Sequence, residues 1–292
     1  MTEVLVVGGG IVGSSVAYHL AAADVKVVLV DREDTGRATA AGAGILSPET
    51  STSHDDAWYD LAVEAVQVYP ELVKELSAAG VSDTGYTASD VLVVAVDREE
   101  RPLFDAARER ILDRQRRRGQ PPSDELYELA PTEARERFPP LGDVHRALYY
   151  EGGAQVDGQT FAAALRSGVF AEGGSVRTGD VERLEIHDGV ISGARVDGEP
   201  VSAEQVVIAG GAWSTAFADQ LDVSIPVAPQ RGQIAHLTVD AETANWPIVT
   251  AFHGHYLVPW PDGRVAAGAT RETGSGFDPS TTVSGVREVL DE

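Results

Sequence analysis

Apolar residues near the start of the chain form two short runs that flank a longer one. Residues 3–7 (EVLVV) and 26–30 (KVVLV) are nearly continuous apolar runs, as in strands buried in parallel sheets. Residues 11–22 (IVGSSVAYHLAA) lie between them and are long enough for a helix. This pattern predicts a strand–helix–strand unit whose two strands are parallel.

Gly8, Gly10 and Gly13 occupy the turn between the first predicted strand and the helix, in a G-x-G-x-x-G pattern. The first glycine permits a tight turn, the second lets the backbone approach a pyrophosphate, and the third allows close helix–sheet packing. The N–H groups of the helix N-terminus then face the phosphates. Asp31 ends the second strand, where its carboxylate can accept hydrogen bonds from a ribose. We therefore expect a dinucleotide site; a glycine-rich turn without a ligand is the alternative.

The remaining pattern predicts two domains that are interleaved in sequence. Residues 37–48 (RATAAGAGILSP) are expected to form an ordered loop of small residues, and residues 261–263 (PDG) are a hairpin-turn signal. Further helices are predicted at 56–79, 99–119 and 159–171, and strand-like segments at 91–96, 175–178, 181–186, 190–196, 205–209, 223–239 and 247–269. The order of these segments predicts a cofactor domain at 1–85 and 151–222 and a substrate domain at 86–150 and 223–292.

Acidic residues outnumber basic ones, with 46 Asp and Glu against 23 Lys and Arg and a net charge of −23. The acids are spread over the whole length, and only Lys26 and Lys74 are lysines. Concentrated salt screens the self-repulsion of such a surface, so we interpret it as halophile-like; ordinary acidic drift is the alternative. A surface of this sign argues against nucleic acid and anionic membranes as partners.

Composition also excludes several kinds of site. The chain has no cysteine, which excludes disulfides, thiolate metal sites and cysteine nucleophiles. No apolar run approaches the roughly 20 residues that span a bilayer, and the N-terminus lacks the basic segment of a signal peptide. We therefore expect a cytoplasmic protein. His253 and His255 have no third ligand nearby, so no metal site is predicted.

Four arginines cluster at the end of the predicted helix 99–119, at Arg114, Arg116, Arg117 and Arg118. A patch that binds phosphate or nucleic acid is one interpretation. Acidic residues lie beside them on the same helix, which favours a solvated, salt-bridged face.

Several blocks of the sequence, taken together, resemble the flavin-dependent D-amino-acid oxidase superfamily, in particular its glycine oxidase, sarcosine oxidase and D-amino-acid dehydrogenase-like branch. The blocks span nearly the whole chain in family order: VLVVGGGIVGSSVAYHL, VVLVDR, ATAAGAGILSP, VDGQTFAAAL, VVIAGGAWS, QRGQ and YLVPWPDGRVAAGATRE. The resemblance implies an α/β fold in which a Rossmann-like FAD-binding domain of the glutathione-reductase type is interleaved with a substrate domain built on an antiparallel sheet. An NAD(P)-dependent dehydrogenase is the less favoured interpretation, because it would not carry the later blocks.

The resemblance also implies that FAD binds in an extended pose. By position, the pyrophosphate would lie on Gly8, Gly10, Ile11, Val12 and Gly13. Asp31 and Arg32 would hold the adenosine ribose. The path to the flavin ring would be lined by Ala38, Thr39, Ala43, Gly44 and Ile45. Val181 would meet the adenine, with Ala209, Gly210 and Trp213 nearby.

The chemistry implied by the resemblance is oxidation of a carbon–nitrogen bond in a small amine or amino acid, by hydride transfer to the flavin. Tyr256 matches an active-site tyrosine of the glycine oxidase-like members and would contact the substrate carboxylate; a tyrosine packed in a sheet is the alternative. Trp260 and Gly158 depart from the family pattern, where arginine and proline are common.

The blocks that hold a carboxylate-binding arginine and a flavin-positioning turn in the family do not occur in these 292 residues. If they are absent from the protein, we expect weak FAD binding and no turnover by the isolated chain. The alternative function is then a flavin-binding module that needs a partner chain, and a homo-oligomer is equally open.

The acidic surface generates a first prediction. We expect the protein to keep its fold in molar KCl and to lose it in dilute buffer, because counterions then no longer screen the repulsion among its carboxylates. Thermal unfolding followed by circular dichroism at both salt concentrations measures this. Equal stability in the two buffers would contradict the salt-adapted interpretation.

Overall fold

The computed structural model describes residues 2–119 and 125–292 of the chain. Its helices are α1 Ile11–Ala22, α2 Ala38–Ala41, α3 Asp56–Ala78, α4 Arg101–Arg117, α5 Pro131–Arg137, α6 Gly158–Ala171, α7 Ala218–Leu221 and α8 Val283–Asp291, with a 3₁₀ helix at Gly211–Phe217. The strands of the first half are β1 Thr2–Val7, β2 Val27–Asp31, β3 Ile45–Leu46, β4 Tyr86–Ala95, β5 Leu126–Leu129 and β6 Arg146–Val156. Those of the second half are β7 Ser175–Thr178, β8 Val181–His187, β9 Val190–Val196, β10 Glu199–Ile208, β11 Gln230–Arg231, β12 Ile234–Thr238, β13 Ile248–Thr250, β14 Tyr256–Pro259, β15 Arg264–Gly268 and β16 Glu272–Thr273.

A six-stranded sheet in the order β7-β2-β1-β10-β9-β8 contains the predicted strand–helix–strand unit. Its first four strands are parallel, whereas β9 pairs antiparallel with β10 and β8 pairs antiparallel with β9. Val4 lies opposite Val27 on one side and Gln205 on the other, so β1 is central. The apolar run at the start of the chain is explained by this position, since a central parallel strand is covered on both faces.

Helices cover one face of the parallel strands of this sheet, and side chains of β8, β9 and the 3₁₀ helix pack on the other. Ala17 and Tyr18 of α1 pack with Leu165 of α6 and Leu76 of α3. On the opposite face, Leu5 and Val7 of β1 join a cluster that also contains Leu184, Ala194 and Phe217. Burying each large apolar side chain contributes about 1.5–3 kcal/mol, so these two clusters fix the orientation of α1 and the turn that precedes it.

A second sheet has the order β12-β15-β14-β13-β4-β6-β3, and β5 also pairs with β6. Helix α4 packs on one face through Phe104 and Ile111, and helix α5 packs on the other through Ala134. The hairpin of β14 and β15 turns at the predicted PDG signal, where the Gly263 N–H donates to the carbonyl of Trp260. β3 and the end of β6 belong to this second sheet, although they lie in the ranges 1–85 and 151–222 that were assigned to the cofactor domain. The predicted domain boundaries stay a prediction.

Two predictions about local structure need correction. The strand-like segment 223–239 contains only the short strands β11 and β12, because only these residues find partners, in β16 and β15. The arginine cluster is not uniformly a solvated face. Arg116 and Arg117 make exposed ion pairs with Asp113 and Asp56, but Arg114 is buried.

Arg114 is buried because it organises the chain that follows β3. Its guanidinium donates to the carbonyls of Pro48, Glu49, Ser51 and Ser53 at 2.6–2.9 Å. It also lies 4.5 Å from the ring centre of Tyr59. Burial lowers the pKa of the Arg114 guanidinium. The carbonyls replace the water that this buried charge has lost, so one side chain holds the whole turn between β3 and α3.

No helix in the described part of the chain combines the length and the apolar character needed to cross a membrane.

We expect Arg114→Gln to destabilise the protein by about 2–4 kcal/mol, because the shorter amide leaves several buried carbonyls without a donor. Denaturant unfolding in high salt measures this. Arg116→Gln is the matched control, because its exposed ion pair contributes about 0–1 kcal/mol. Equal losses in the two variants would show that the buried hydrogen bonds of Arg114 do not hold this turn.

Candidate functional site

The turn between β1 and α1 depends on glycine at two points of close backbone approach. Gly8 has φ +105°, and a Cβ there would overlap the backbone of Ala209. A Cβ on Gly13 would overlap the carbonyl oxygen of Gly8. Ile11 and Val12 therefore begin α1 directly above the carboxyl ends of the strands. Their N–H groups belong to the first turn of a 12-residue helix, where an anion is stabilised.

Asp31 lies at the carboxyl end of β2 and holds this turn. Its carboxylate accepts a hydrogen bond from the Gly9 N–H at 2.5 Å and forms an ion pair of 2.9 Å with Arg37. Arg32 instead pairs with Asp34 and Asp180 on the surface. Asp31 is thus placed where a ribose beside the turn would meet it, with one oxygen bonded to Gly9 and the other to Arg37 and to the Glu33 N–H.

Predicted residues from the second half of the chain come to the same edge of the sheet. Ala209 and Gly210 follow β10, the parallel neighbour of β1, and Ala209 donates its N–H to the carbonyl of Val7 at 2.7 Å. Trp213 follows in the 3₁₀ helix, and Val181 begins β8. In parallel sheets, ligands bind at the carboxyl ends of the strands. The structure therefore brings residues separated by about 200 positions to one such edge.

The loop of small residues connects this edge to the second sheet. It contains the short helix α2, with Ala38 and Thr39, and the Thr39 hydroxyl accepts a hydrogen bond from the Ile11 N–H at 3.0 Å. A Cβ on Gly44 would overlap the carbonyl of Val156, so glycine is required there. Ala43 and Ile45 then pack against the apolar face of the second sheet. The predicted FAD-lining residues thus form a continuous path between the two sheets.

Sequence reasoning missed two side chains that support the turn. Arg166 on α6 donates from Nη1 to the Gly9 carbonyl at 2.9 Å, and the Ser14 hydroxyl donates to the same oxygen at 3.1 Å. Gly9 is therefore held on its carbonyl by these donors and on its N–H by Asp31. Ser14 lies within the glycine-rich block and so was open to sequence analysis. Arg166 is 157 positions away and carries no sequence signal.

Tyr256 lies at the start of β14, on the face of the second sheet where Ala43 and Ile45 also pack. It pairs with Gly268 of β15, and its ring packs on that glycine. Burial raises the pKa of the Tyr256 phenol, so the phenol is a neutral hydrogen-bond donor at neutral pH. A cavity of about 110 Å³ opens nearby, between the loop of small residues and the second sheet, and Trp260, Arg264 and Gly158 are among its lining residues.

The two candidate histidines have separate surroundings. His253 lies 3.1 Å from a carboxylate oxygen of Glu100. The ring nitrogens of His255 are buried without a hydrogen-bond partner, and its Nδ1 lies 4.0 Å from a carboxylate oxygen of Glu292. Within residues 2–119 and 125–292, no group of three His, Cys, Asp or Glu side chains could hold a metal ion.

Comparison with known proteins places this geometry in a family. The family of FAD dependent oxidoreductases designated DAO matches residues 3–292. The uncharacterized oxidoreductase YurR of Bacillus subtilis is 32% identical over 292 residues, which are 99% of this chain and 77% of that protein. A glycine oxidase of Pseudomonas aeruginosa is 31% identical over 290 residues, covering 96% of this chain and 74% of that protein.

Solved structures agree with the sequence comparison. The crystal structure of iminodiacetate oxidase from Chelativorans sp. BNC1 superposes with a TM-score of 0.92 at 36% identity, covering 99% of this chain and 77% of that one. Glycine oxidase from Geobacillus kaustophilus superposes with a TM-score of 0.86 at 27% identity, covering 99% and 76%. The family and structure matches confirm the expected fold class and the D-amino-acid oxidase superfamily, and the FAD-dependent family confirms FAD as the cofactor.

The residues present fit FAD on a structural test independent of these comparisons. The Gly8–Gly13 turn is a cradle that a Cβ would fill at two points, and it lies under a helix N-terminus as an anionic pyrophosphate requires. The connecting loop leads from this cradle to an apolar sheet face suited to a flat ring.

We expect Gly13→Ala to weaken FAD binding roughly 100-fold or more, because the added methyl group displaces the Gly8 carbonyl and opens the turn. Titration of FAD, followed by its fluorescence quenching in high salt, gives the dissociation constants. Gly142→Ala is the control, since a Cβ at Gly142 meets nothing within 4 Å. If both variants bind FAD like the parent, the turn is not the pyrophosphate site.

Proposed function

The chain belongs to the FAD-dependent oxidoreductase family named above, and from this premise we propose that it oxidises the carbon–nitrogen bond of a small amino acid or secondary amine. The observation that carries the proposal is the likeness to iminodiacetate oxidase over 99% of this chain. The glycine oxidase relatives support the same class of substrate, an amine on a carbon next to a carboxylate.

In the proposed reaction, the C–N single bond of the substrate becomes a C=N double bond. The carbon loses a hydride and the nitrogen loses a proton. FAD, when bound, accepts the hydride and its two electrons. Water then adds to the imine carbon, and the C–N bond breaks to release a carbonyl compound and ammonia or an amine. The protein has to bind the cofactor, orient the amine and close the site.

In our proposal, different residues hold the cofactor and exclude water. The Gly8–Gly13 turn and Asp31 hold the pyrophosphate and ribose, and Arg166 fixes the turn by donating to the Gly9 carbonyl. Ala43, Gly44 and Ile45 line the flavin ring, and their packing on the second sheet excludes water from one side. Arg32, Ala38, Thr39, Val181, Ala209, Gly210 and Trp213 remain cofactor-binding proposals on position alone.

Tyr256 is the proposed substrate contact. The phenol oxygen has no hydrogen-bond partner within the described residues, although the ring is largely buried against Gly268. A neutral phenol at this position can donate to a carboxylate and so orient the adjacent carbon. This role distinguishes Tyr256 from Tyr149, whose hydroxyl already donates to Asp90 at 2.6 Å.

Anaerobic mixing of the FAD-loaded protein with glycine, sarcosine and iminodiacetate tests the proposed function. We expect at least one of these amines to bleach the flavin absorbance, because substrate electrons then remain on the cofactor. Bound flavin that none of them reduces would contradict the proposal and support the alternative of a flavin-binding module that acts with a partner chain.

Tyr256→Phe is expected to raise KM, or the dissociation constant of the substrate, by about 10-fold, since a hydrogen bond to a charged group contributes about 1.5–3 kcal/mol. The limiting rate of flavin reduction should change less. Tyr127→Phe is the matched control, because the Tyr127 hydroxyl donates to the exposed Glu151 carboxylate. Equal binding constants in Tyr256→Phe and the parent would remove Tyr256 from the substrate site.

A further inference from the structure

Arg271 is an exposed arginine without a partner in a strongly acidic chain. No hydrogen bond or ion pair reaches its guanidinium from any other residue that the structure describes, although the chain carries 46 Asp and Glu. Most arginines pair with a carboxylate, and Arg110, Arg114 and Arg166 bind carbonyls instead. Among the described residues, the side chain of Arg98, in the turn before α4, is also exposed without a hydrogen bond or ion pair, and exposed Arg137 contacts only the ring of Tyr149. A free guanidinium in such surroundings is a feature that requires an explanation.

The nearest carboxylate in sequence is held by other residues. Glu272 forms an ion pair of 2.8 Å with Arg231, and its other oxygen accepts hydrogen bonds from Thr270 and Gln233. These contacts lower the pKa of the Glu272 carboxyl and fix it in the β11–β16 pair. Glu272 is therefore committed elsewhere, and the guanidinium of its neighbour Arg271 is left available to a ligand.

Arg271 lies beside the proposed substrate contact. Tyr256 pairs with Gly268 across β14 and β15, and its phenol oxygen reaches over that glycine, three positions before Arg271. The positive charge of Arg271 is close enough to oppose the rise that burial causes in the pKa of Tyr256. No hydrogen bond joins the two side chains. Two separate unpartnered donors thus lie near each other, a phenol that is mostly buried and a guanidinium that is exposed.

We propose that Arg271 binds a second carboxylate of the substrate, so that the site selects amines that carry a carboxylate on both sides of the nitrogen. This inference rests on the proposed function, in which Tyr256 contacts the first carboxylate. The class comprises N-carboxyalkyl amino acids such as iminodiacetate. Glycine and sarcosine, with one carboxylate, satisfy the phenol and leave the guanidinium unused.

The charges of the candidate substrates distinguish them at this place. An iminodicarboxylate with a protonated nitrogen has one net negative charge, whereas glycine is neutral. An arginine paired with a carboxylate of its own chain would present little positive charge to a second carboxylate at contact distance, but the unpaired Arg271 presents its full charge.

Substitution of Arg271 tests the inference by a change of specificity. For Arg271→Gln in high salt, we expect kcat/KM for iminodiacetate to fall about 10-fold or more, and that for glycine to change less than about twofold. Arg271→Lys keeps the charge without the forked geometry and should retain part of the preference. Arg98→Gln is the matched control, since it removes the same charge from an exposed arginine that also has no partner.

A binding measurement separates this inference from the proposed function, because it needs no turnover. Glutarate and acetate, which cannot be oxidised by this reaction, are titrated into the FAD-loaded protein and followed by the flavin absorbance; the two carboxylates of glutarate are separated by three atoms, as in iminodiacetate. We expect Arg271→Gln to weaken glutarate binding about 10-fold and to leave acetate binding unchanged. Equal losses for both anions, or no loss, would overturn the role of Arg271 whether or not any amine is oxidised. If glutarate shows the expected loss but no amine reduces the flavin, the inference stands and the proposed function fails.

Discussion

The whole site depends on the close approach of backbone to backbone at the carboxyl ends of β1 and β10. Gly8 touches Ala209, and Gly13 touches Gly8, with no room for a Cβ at either glycine. This contact places the N-terminus of α1 over the edge of the sheet, where we propose that the pyrophosphate binds, although the Ile11 N–H donates to the Thr39 hydroxyl. Any side chain at these two positions would push the helix off the sheet. The glycines at these two positions, the position of α1 and the proposed anion site therefore depend on one another.

Polar side chains hold the turn between β1 and α1, and the loop of small residues connects this turn to the second sheet. Asp31 and Arg166 fix the two polar groups of Gly9, so the turn is rigid before any ligand arrives. The Ala38–Leu46 segment leads from there to the second sheet, and Arg114 anchors the chain that follows it. A preformed path of this kind lowers the entropy cost of binding a long cofactor.

Structural features that depend only on neighbouring residues could be predicted from the sequence. The glycine spacing, the position of Asp31 and the hairpin turn at Gly263 each depend on a few neighbouring residues, and the structure shows all three. The FAD-lining positions and Tyr256 came from the family resemblance, since spacing alone does not distinguish a substrate tyrosine from one packed in a sheet.

Contacts between distant positions could not be predicted. Arg166 meets Gly9 across 157 positions, and Arg114 meets Pro48 across 66, so neither leaves a pattern in its own segment. The acidic residues beside Arg114 on its helix favoured a solvated side chain, but Arg114 is buried and donates to carbonyls. The strand content of 223–239 was overestimated for a related reason, because a strand needs a partner that apolar composition does not supply.

The absorption spectrum of the protein purified in high salt tests the central claim most directly, because it reports whether the turn and the loop hold FAD together. The account predicts flavin absorbance bands in the folded protein, with any shortfall from one FAD per chain filled by added FAD. A colourless protein that stays folded and takes up no added FAD would contradict it.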